Sequence, residues 1–324
     1  MSMNTIPVEV VGDIWYNPQC IQQALDKIPA GQHVVLDFCA EGPSMYALGI
    51  CDMLDKWLAK TNQGPETIMV TCWSNATEKI PYPKRLCSVP SHFWKLSQSY
   101  WRDLENSVDA KLFALFLGRS TMARNAIMYQ IATQWPDHFF LSKMHGNQSE
   151  PWHQTHPGSD SVDNWTLDAQ SMITWYEHCP VSSIDNKQIR DQFGDPDNHG
   201  RVNRSLLDYY NQFNIELVCE TYTKGTTFFP TEKTVRPIMA AKPVLVYGPI
   251  DFLKELRNMG FKTYSELWSE DYDNFEGPAR WDRIKKIITY IISLEKHRQQ
   301  QLLEHAKSIA VFNRQHLEKF IHDN

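Results

Sequence analysis

Continuous apolar runs alternate with amphipathic stretches along most of this chain, and that alternation limits the fold more than any other feature. The runs are HVVLDFC (33–39), ETIMVTCW (66–73), KLFALFLG (111–118), NIELVCE (214–220) and KPVLVYG (242–248). Runs of this length and composition are typical of parallel strands that are buried on both faces. The stretches between several of them have helical periodicity, so the chain is predicted to be an α/β protein with parallel sheets.

The alternation stops at the polar stretch ENSVDA (105–110) and then begins again, which indicates two consecutive α/β units. We therefore predict an N-terminal Rossmann-like domain over residues 1–108 and a second over residues 109–290. Residues 291–324 are predicted to be a C-terminal helix that packs back on the N-terminal domain. Ligands of such sheets bind at the carboxyl ends of the strands, at a switch point or in a domain crevice.

The composition fits a cytoplasmic protein. The 324 residues are 42% hydrophobic with a net charge of −6, which is not the basic balance typical of nucleic-acid binding. No run approaches the roughly 20 apolar residues that span a bilayer, and the start shows no signal-peptide pattern. The 7 cysteines are scattered and form no CxxC pair, so we expect buried, reduced thiols.

The segment from Asn214 to Pro249 contains the largest group of candidate ligand-binding residues. A buried strand ends at Glu220, where a carboxylate can accept hydrogen bonds from ribose hydroxyls. After a loop, Thr231 is suited to cap a helix whose first turn would bind a phosphate. Lys233 and Arg236 add cations that oppose the helix dipole, and a bound anion would relieve that conflict. The alternative is an ordinary strand–loop–helix with a charged start, and the residues alone leave both interpretations open.

These residues resemble the donor-binding signature of the α1,3-fucosyltransferase-like glycosyltransferases. The matching pieces are Glu220, Thr231-Glu232-Lys233, Arg236 and Lys242-Pro243, and the sequence from Gly248 to Asp273 continues in the same order. The Arg-Pro that follows the motif is closest to the phage and bacterial branch of the family. The resemblance covers about residues 111–290.

The resemblance implies a GT-B fold, in which two Rossmann-like domains face each other across a crevice. It also implies a nucleotide-sugar co-substrate, inversion at the anomeric carbon and no required metal or other cofactor. Glu220 would hold the ribose and Lys233 the diphosphate, while Thr231 and Glu232 would shape the helix start and the sugar pocket.

A second element, LFLGRSTMARNAIM (115–128), resembles the arginine-containing turn after the first strand of the family's donor domain. Arg119 follows the strand and can contact a phosphate through a bidentate fork. Arg124 lies on the helix that follows, although this sequence carries fewer basic residues here than the family pattern. A surface salt bridge is the alternative role for Arg119.

An inverting transfer requires a base for the acceptor hydroxyl. The turn DFCAEGPS follows a buried strand of the N-terminal domain and provides Glu41 as the preferred base and Asp37 as the second choice. His92 is a third choice. A turn carboxylate with only a capping role is the alternative.

Other motifs do not indicate a different chemistry. His138, His145, His153 and His156 match no closed zinc spacing, and no Gly-rich phosphate loop or Gly-x-Ser-x-Gly elbow is present. The sequence therefore predicts an inverting, metal-independent glycosyltransferase that acts on a glycan or other hydroxyl acceptor. The alternatives are a DNA glycosyltransferase acting on a hydroxymethylated base and a non-catalytic nucleotide-sugar-binding protein.

Overall fold

The computed structural model describes residues 4–7, 18–37, 45, 49–72, 80–86, 105–117, 121–143, 165, 209–220, 223–226 and 228–323. Within these ranges the chain forms two separate four-stranded sheets, and every strand pair in both is parallel. The predicted α/β class with parallel sheets is therefore confirmed.

The first sheet has the strand order β1-β2-β3-β4, so each strand lies beside the next one in sequence. Its elements are β1 (Asn4–Pro7), α1 (Pro18–Asp26), β2 (Val34–Asp37), α2 (Ile50–Thr61), β3 (Ile68–Cys72) and β4 (Lys84–Leu86). The two helices contact each other, because Trp57 of α2 donates its indole N–H to the carbonyl of Leu25 at 3.0 Å. The apolar side chains of this unit form their own core.

The second sheet has the order β6-β5-β7-β8, which places β5 between its two successors in sequence. Its first elements are β5 (Lys111–Leu117), α3 (Met122–Gln134), β6 (Phe139–Lys143) and β7 (Phe213–Cys219). Helix α4 (Glu232–Met239), β8 (Val244–Tyr247) and α5 (Phe252–Asn258) follow. A second, larger core surrounds this sheet, with β5, β7 and β8 almost wholly buried.

Two helices complete the chain, α6 (Gly277–Ser293) and the long α7 (Lys296–Asp323). Apolar residues of α7 from Leu302 to Ile321 belong to the core of the second sheet. Asn313 also exchanges two hydrogen bonds of 2.8 Å with the backbone of Lys262. The long C-terminal helix is thus confirmed, whereas its packing on the N-terminal domain and the two domain boundaries stay predictions. None of the described helices combines the length and apolar character that crossing a membrane requires.

The sequence of FKTY (261–264) predicts a short strand, but the structure differs. The backbone N–H groups of Lys262 and Tyr264 donate to the side chains of Asn313 and Glu270 instead of to a neighbouring strand. The Lys84–Leu86 segment of β4 pairs in parallel with β3, and Pro83 directly precedes its three ladder residues.

Gly260 ends α5 as the sequence predicts. Its φ of +91° lies in the left-handed region that favours glycine. Any side chain there would also collide with α7, since an added Cβ would lie 2.8 Å from the His316 ring. The glycine therefore both stops α5 and lets α7 approach.

Arg280 of α6 links the carboxyl end of β8 to the elements that follow. Its guanidinium is fully buried and donates to the carbonyls of Val246, Pro249 and Phe275 and to the carboxylate of Asp273. Asp273 in turn accepts from the first backbone N–H groups of α5. One buried ion pair therefore fixes the ends of three elements.

We predict that Arg280→Met lowers the free energy of unfolding by about 3–5 kcal/mol, because it leaves a buried carboxylate without its cation. The matched control is Arg283→Met on the same helix, whose ion pair with Asp271 is partly exposed, and we expect a loss of at most about 1 kcal/mol. Urea unfolding followed by tryptophan fluorescence measures both. Equal losses for the two variants would contradict the proposed role of Arg280.

Candidate functional site

The strand order of the second sheet creates a switch point between β5 and β7. The chain leaves β5 towards β6 on one side and returns to β7 on the other side. Loops that leave the carboxyl ends of two such strands diverge, and the crevice between them is where open parallel sheets bind ligands. The residues that follow β5 and β7 are the two groups for which the sequence predicts a phosphate and ribose site.

Glu220 immediately follows β7 and is 1% exposed. Its carboxylate accepts from the backbone N–H of Thr231 at 3.1 Å, from the Thr231 hydroxyl at 2.6 Å and from the Thr234 hydroxyl at 2.5 Å. These three bonds join the end of β7 to the start of α4. A carboxylate has about four lone-pair positions, so the two oxygens retain capacity for about one more donor.

Thr231 caps α4, which confirms the sequence prediction. Its hydroxyl accepts from the backbone N–H of Lys233 at 3.3 Å while donating to Glu220. The ammonium of Lys233 lies 3.4 Å from the same hydroxyl, and the side chain is half-buried. Lys233 is therefore held at the positive end of the helix, partly open to solvent.

Arg124 spans the switch point. It lies near the start of α3, after β5, and donates to the carbonyl of Cys219 at the end of β7 at 2.9 Å. Burial raises the pKa of the Cys219 thiol to about 12, while the nearby positive charges of Arg124 and Lys233 oppose the rise and Glu220 adds to it. Arg124, Lys233 and Glu220 thus act on one point at the carboxyl end of β7.

The side chain of Arg236 points into the core and not towards the end of β7. It is 5% exposed, and its guanidinium forms a 2.6 Å ion pair with Glu216 and donates to the Tyr210 hydroxyl at 2.6 Å. Burial raises the pKa of Glu216, which Arg236 and Lys242 counteract. The role of Arg236 in this structure is to neutralise a carboxylate inside the core, one helical turn deeper than Thr231.

The remaining predicted residues lie partly or wholly outside the described residues. Glu41 and Arg119 fall outside them, as does the side chain of Glu232 at the start of α4. Asp37 is the last residue of β2, and only its backbone is described. Its position at a carboxyl strand end agrees with a place on the ligand-binding edge of the first sheet.

Sequence reasoning missed Thr234 and Glu216. Thr234 is fully buried and follows Thr231 by three residues, the spacing that puts two side chains on one face of a helix. Glu216 precedes Glu220 by four residues, and an even spacing puts two residues on the same face of a strand. Both signals were available in the sequence. An acidic residue inside a buried strand requires a partner, and Thr234 has the spacing from Thr231 that brings a second hydroxyl to the same place.

The described part of the chain contains no group of three or more His, Cys, Asp or Glu side chains arranged to hold a metal ion. Among the described residues, the switch point instead brings two cations, Arg124 and Lys233, close to the carboxylate of Glu220. A helix start favours a nearby anion.

Comparisons with protein-family models, with curated proteins and with solved structures found no match to this chain.

Proposed function

We propose that this protein is an inverting, metal-independent glycosyltransferase that binds the diphosphate of a nucleotide sugar at the start of α4. The observation that supports this most is the attachment of Glu220 to Thr231 and Thr234. That attachment fixes the helix start beside the end of β7 before any ligand arrives. The resemblance of the same residues to the fucosyltransferase-like signature supplies the reaction class.

Lys233 is the residue proposed to touch the diphosphate, because it combines partial exposure with a position at the helix start. Glu220, Thr231 and Arg124 are almost fully buried, so their proposed role is to position Lys233. Glu220 keeps enough capacity for one ribose hydroxyl. Arg119 and Glu232 remain proposed donor contacts.

The proposed chemistry is electrostatic. As the anomeric carbon–oxygen bond breaks, negative charge develops on the departing nucleoside diphosphate. A lysine and a helix dipole stabilise that charge, as a metal ion does in other glycosyltransferases. The proton of the acceptor hydroxyl passes to a carboxylate of the first domain, with Glu41 preferred over Asp37.

This mechanism requires a GT-B arrangement, with the two sheet units facing each other across the reacting groups. Two independent cores and two parallel sheets support that proposal. Strand ends of both units provide polar residues, Asp37 from the first and Glu220 from the second.

We predict that at least one member of a panel of nucleoside diphosphates raises the melting temperature of this protein. Lys233→Ala should abolish that rise. A ligand at 100 times its dissociation constant contributes about 2.7 kcal/mol of stability, which a thermal-shift assay detects. Lys60→Ala is the control, since Lys60 pairs with Asp26 on the exposed surface of the first unit. It should retain the full shift, and an unchanged shift in Lys233→Ala would refute the proposed diphosphate contact.

We predict that Glu41→Gln lowers the transfer rate by about 10²–10⁴-fold, the usual contribution of a general base. Nucleotide binding should persist, because the substitution lies in the other domain from the proposed donor site. The assay is release of nucleoside diphosphate from nucleotide sugars, with Asp37→Asn tested beside it. Donor binding without any turnover in the parental protein would favour the non-catalytic alternative, and a full rate in Glu41→Gln would exclude that residue as the base.

A further inference from the structure

A buried lysine stands at the opposite end of the second sheet from the candidate site. Lys242 precedes β8 and is 1% exposed. Its amine donates to the carbonyl of Phe213 at 2.8 Å and to the side-chain oxygen of Asn106, and it lies 5.2 Å from the centre of the Phe213 ring. Nothing in the proposed reaction uses this amine.

Asn106 belongs to the entry segment, residues 105–110, which leads from the first sheet unit into β5. Besides Lys242, the segment is held by Asn106 to Asn214 at 2.6 Å and by the backbone N–H of Ser107 to Asn211 at 2.8 Å. Residues 105–109 are exposed, so the segment lies on the solvent side of the amine. Displacing the segment would therefore admit water to Lys242.

The number of acceptors around the amine matches its uncharged form. A neutral amine has two N–H groups, and the described residues offer it two acceptors, the Phe213 carbonyl and the Asn106 side chain. For a third proton the described residues offer only the face of the Phe213 ring, 5.2 Å away, and no hydrogen-bond acceptor, so a charged amine is costly in this buried place.

The charged groups around the amine do not compensate that cost. Lys307 of α7 repels a positive charge on Lys242, whereas Glu216 of β7 attracts it but is already paired with Arg236 of α4. The entry segment itself carries Glu105 and Asp109, both exposed. Burial, with Lys307 as the second cause, lowers the pKa of Lys242 from 10.5 to about 7.

We propose that Lys242 is a proton-sensitive latch that closes the entry segment onto the second sheet when the amine is neutral and loosens when it takes up a proton. The closed state binds fewer protons than an opened state in which the amine is in water. Rising pH therefore favours closure between about pH 7 and 10.5, and closure does not change further below pH 7. Because the entry segment connects the two units, the latch would make their connection depend on pH.

Amide hydrogen exchange of Ser107, Ala110 and Lys111, corrected for the intrinsic exchange rate, tests this proposal between pH 6 and 9. We expect constant protection below about pH 7 and, above it, protection that rises by up to about tenfold per pH unit, the limit for one proton. Lys242→Met fills the same space without titrating and should remove the dependence. The matched control Lys286→Met, on the exposed face of α6, should keep it.

Protection in the parental protein that is independent of pH would overturn the proposal, and so would a slope that persists in Lys242→Met. If Lys242→Met does not fold, Lys307→Met provides the test. It removes the repelling charge, so the onset of the rise should move to higher pH. An onset that stays where it is in the parental protein would overturn the latch. None of these measurements depends on the proposed glycosyltransferase activity.

Discussion

Two buried carboxylates, one in β7 and one directly after it, hold α4 against the second sheet, and the candidate site depends on both. Glu216 binds Arg236 from the middle of the helix, and Glu220 binds Thr231 and Thr234 at its start. Burying two negative charges in one strand is expensive unless each receives its own donors. The helix supplies those donors, which fixes both its position along β7 and its rotation.

This arrangement separates Arg236 from Arg124 and Lys233, with which the sequence analysis grouped it as donor-binding cations. Arg236 neutralises Glu216, so removing it would leave a buried charge and cost about 3–5 kcal/mol of stability. Loss of activity in an Arg236 variant would then report unfolding and not binding. Lys233 is the cation whose removal tests the site, because its half-buried side chain contributes less to the packing of α4.

Much of the fold could be predicted from the sequence, because continuous apolar runs such as KLFALFLG and NIELVCE have few alternatives to a buried parallel strand. Thr231 was recognisable as a cap from its position alone. The direction of a long side chain could not be predicted from the sequence. With the same local sequence, Arg236 could point towards a ligand or into the core. Its partner Tyr210 lies 26 residues earlier in the chain, a contact that no local pattern encodes.

The FKTY segment shows the same limit for the backbone. Its composition favours a strand, but a strand also needs a neighbour with free hydrogen-bonding groups. Asn313, from a helix about 50 residues later, takes the N–H of Lys262 first. Tertiary contacts of this kind determine the secondary structure of short segments, whereas a long apolar run specifies a buried strand by its own sequence.

The position of Glu220 also changes how a ligand would bind. A cation at a helix start opposes the dipole and costs roughly 0.3–1 kcal/mol, which a bound anion would offset. Glu220 already supplies a negative charge at that point, and it accepts one backbone N–H and two threonine hydroxyls of the helix start. The start of α4 is therefore held in place without a ligand. The diphosphate proposed above would not have to order the helix, so its proposed interaction with Lys233 would contribute to affinity and would not be spent on folding.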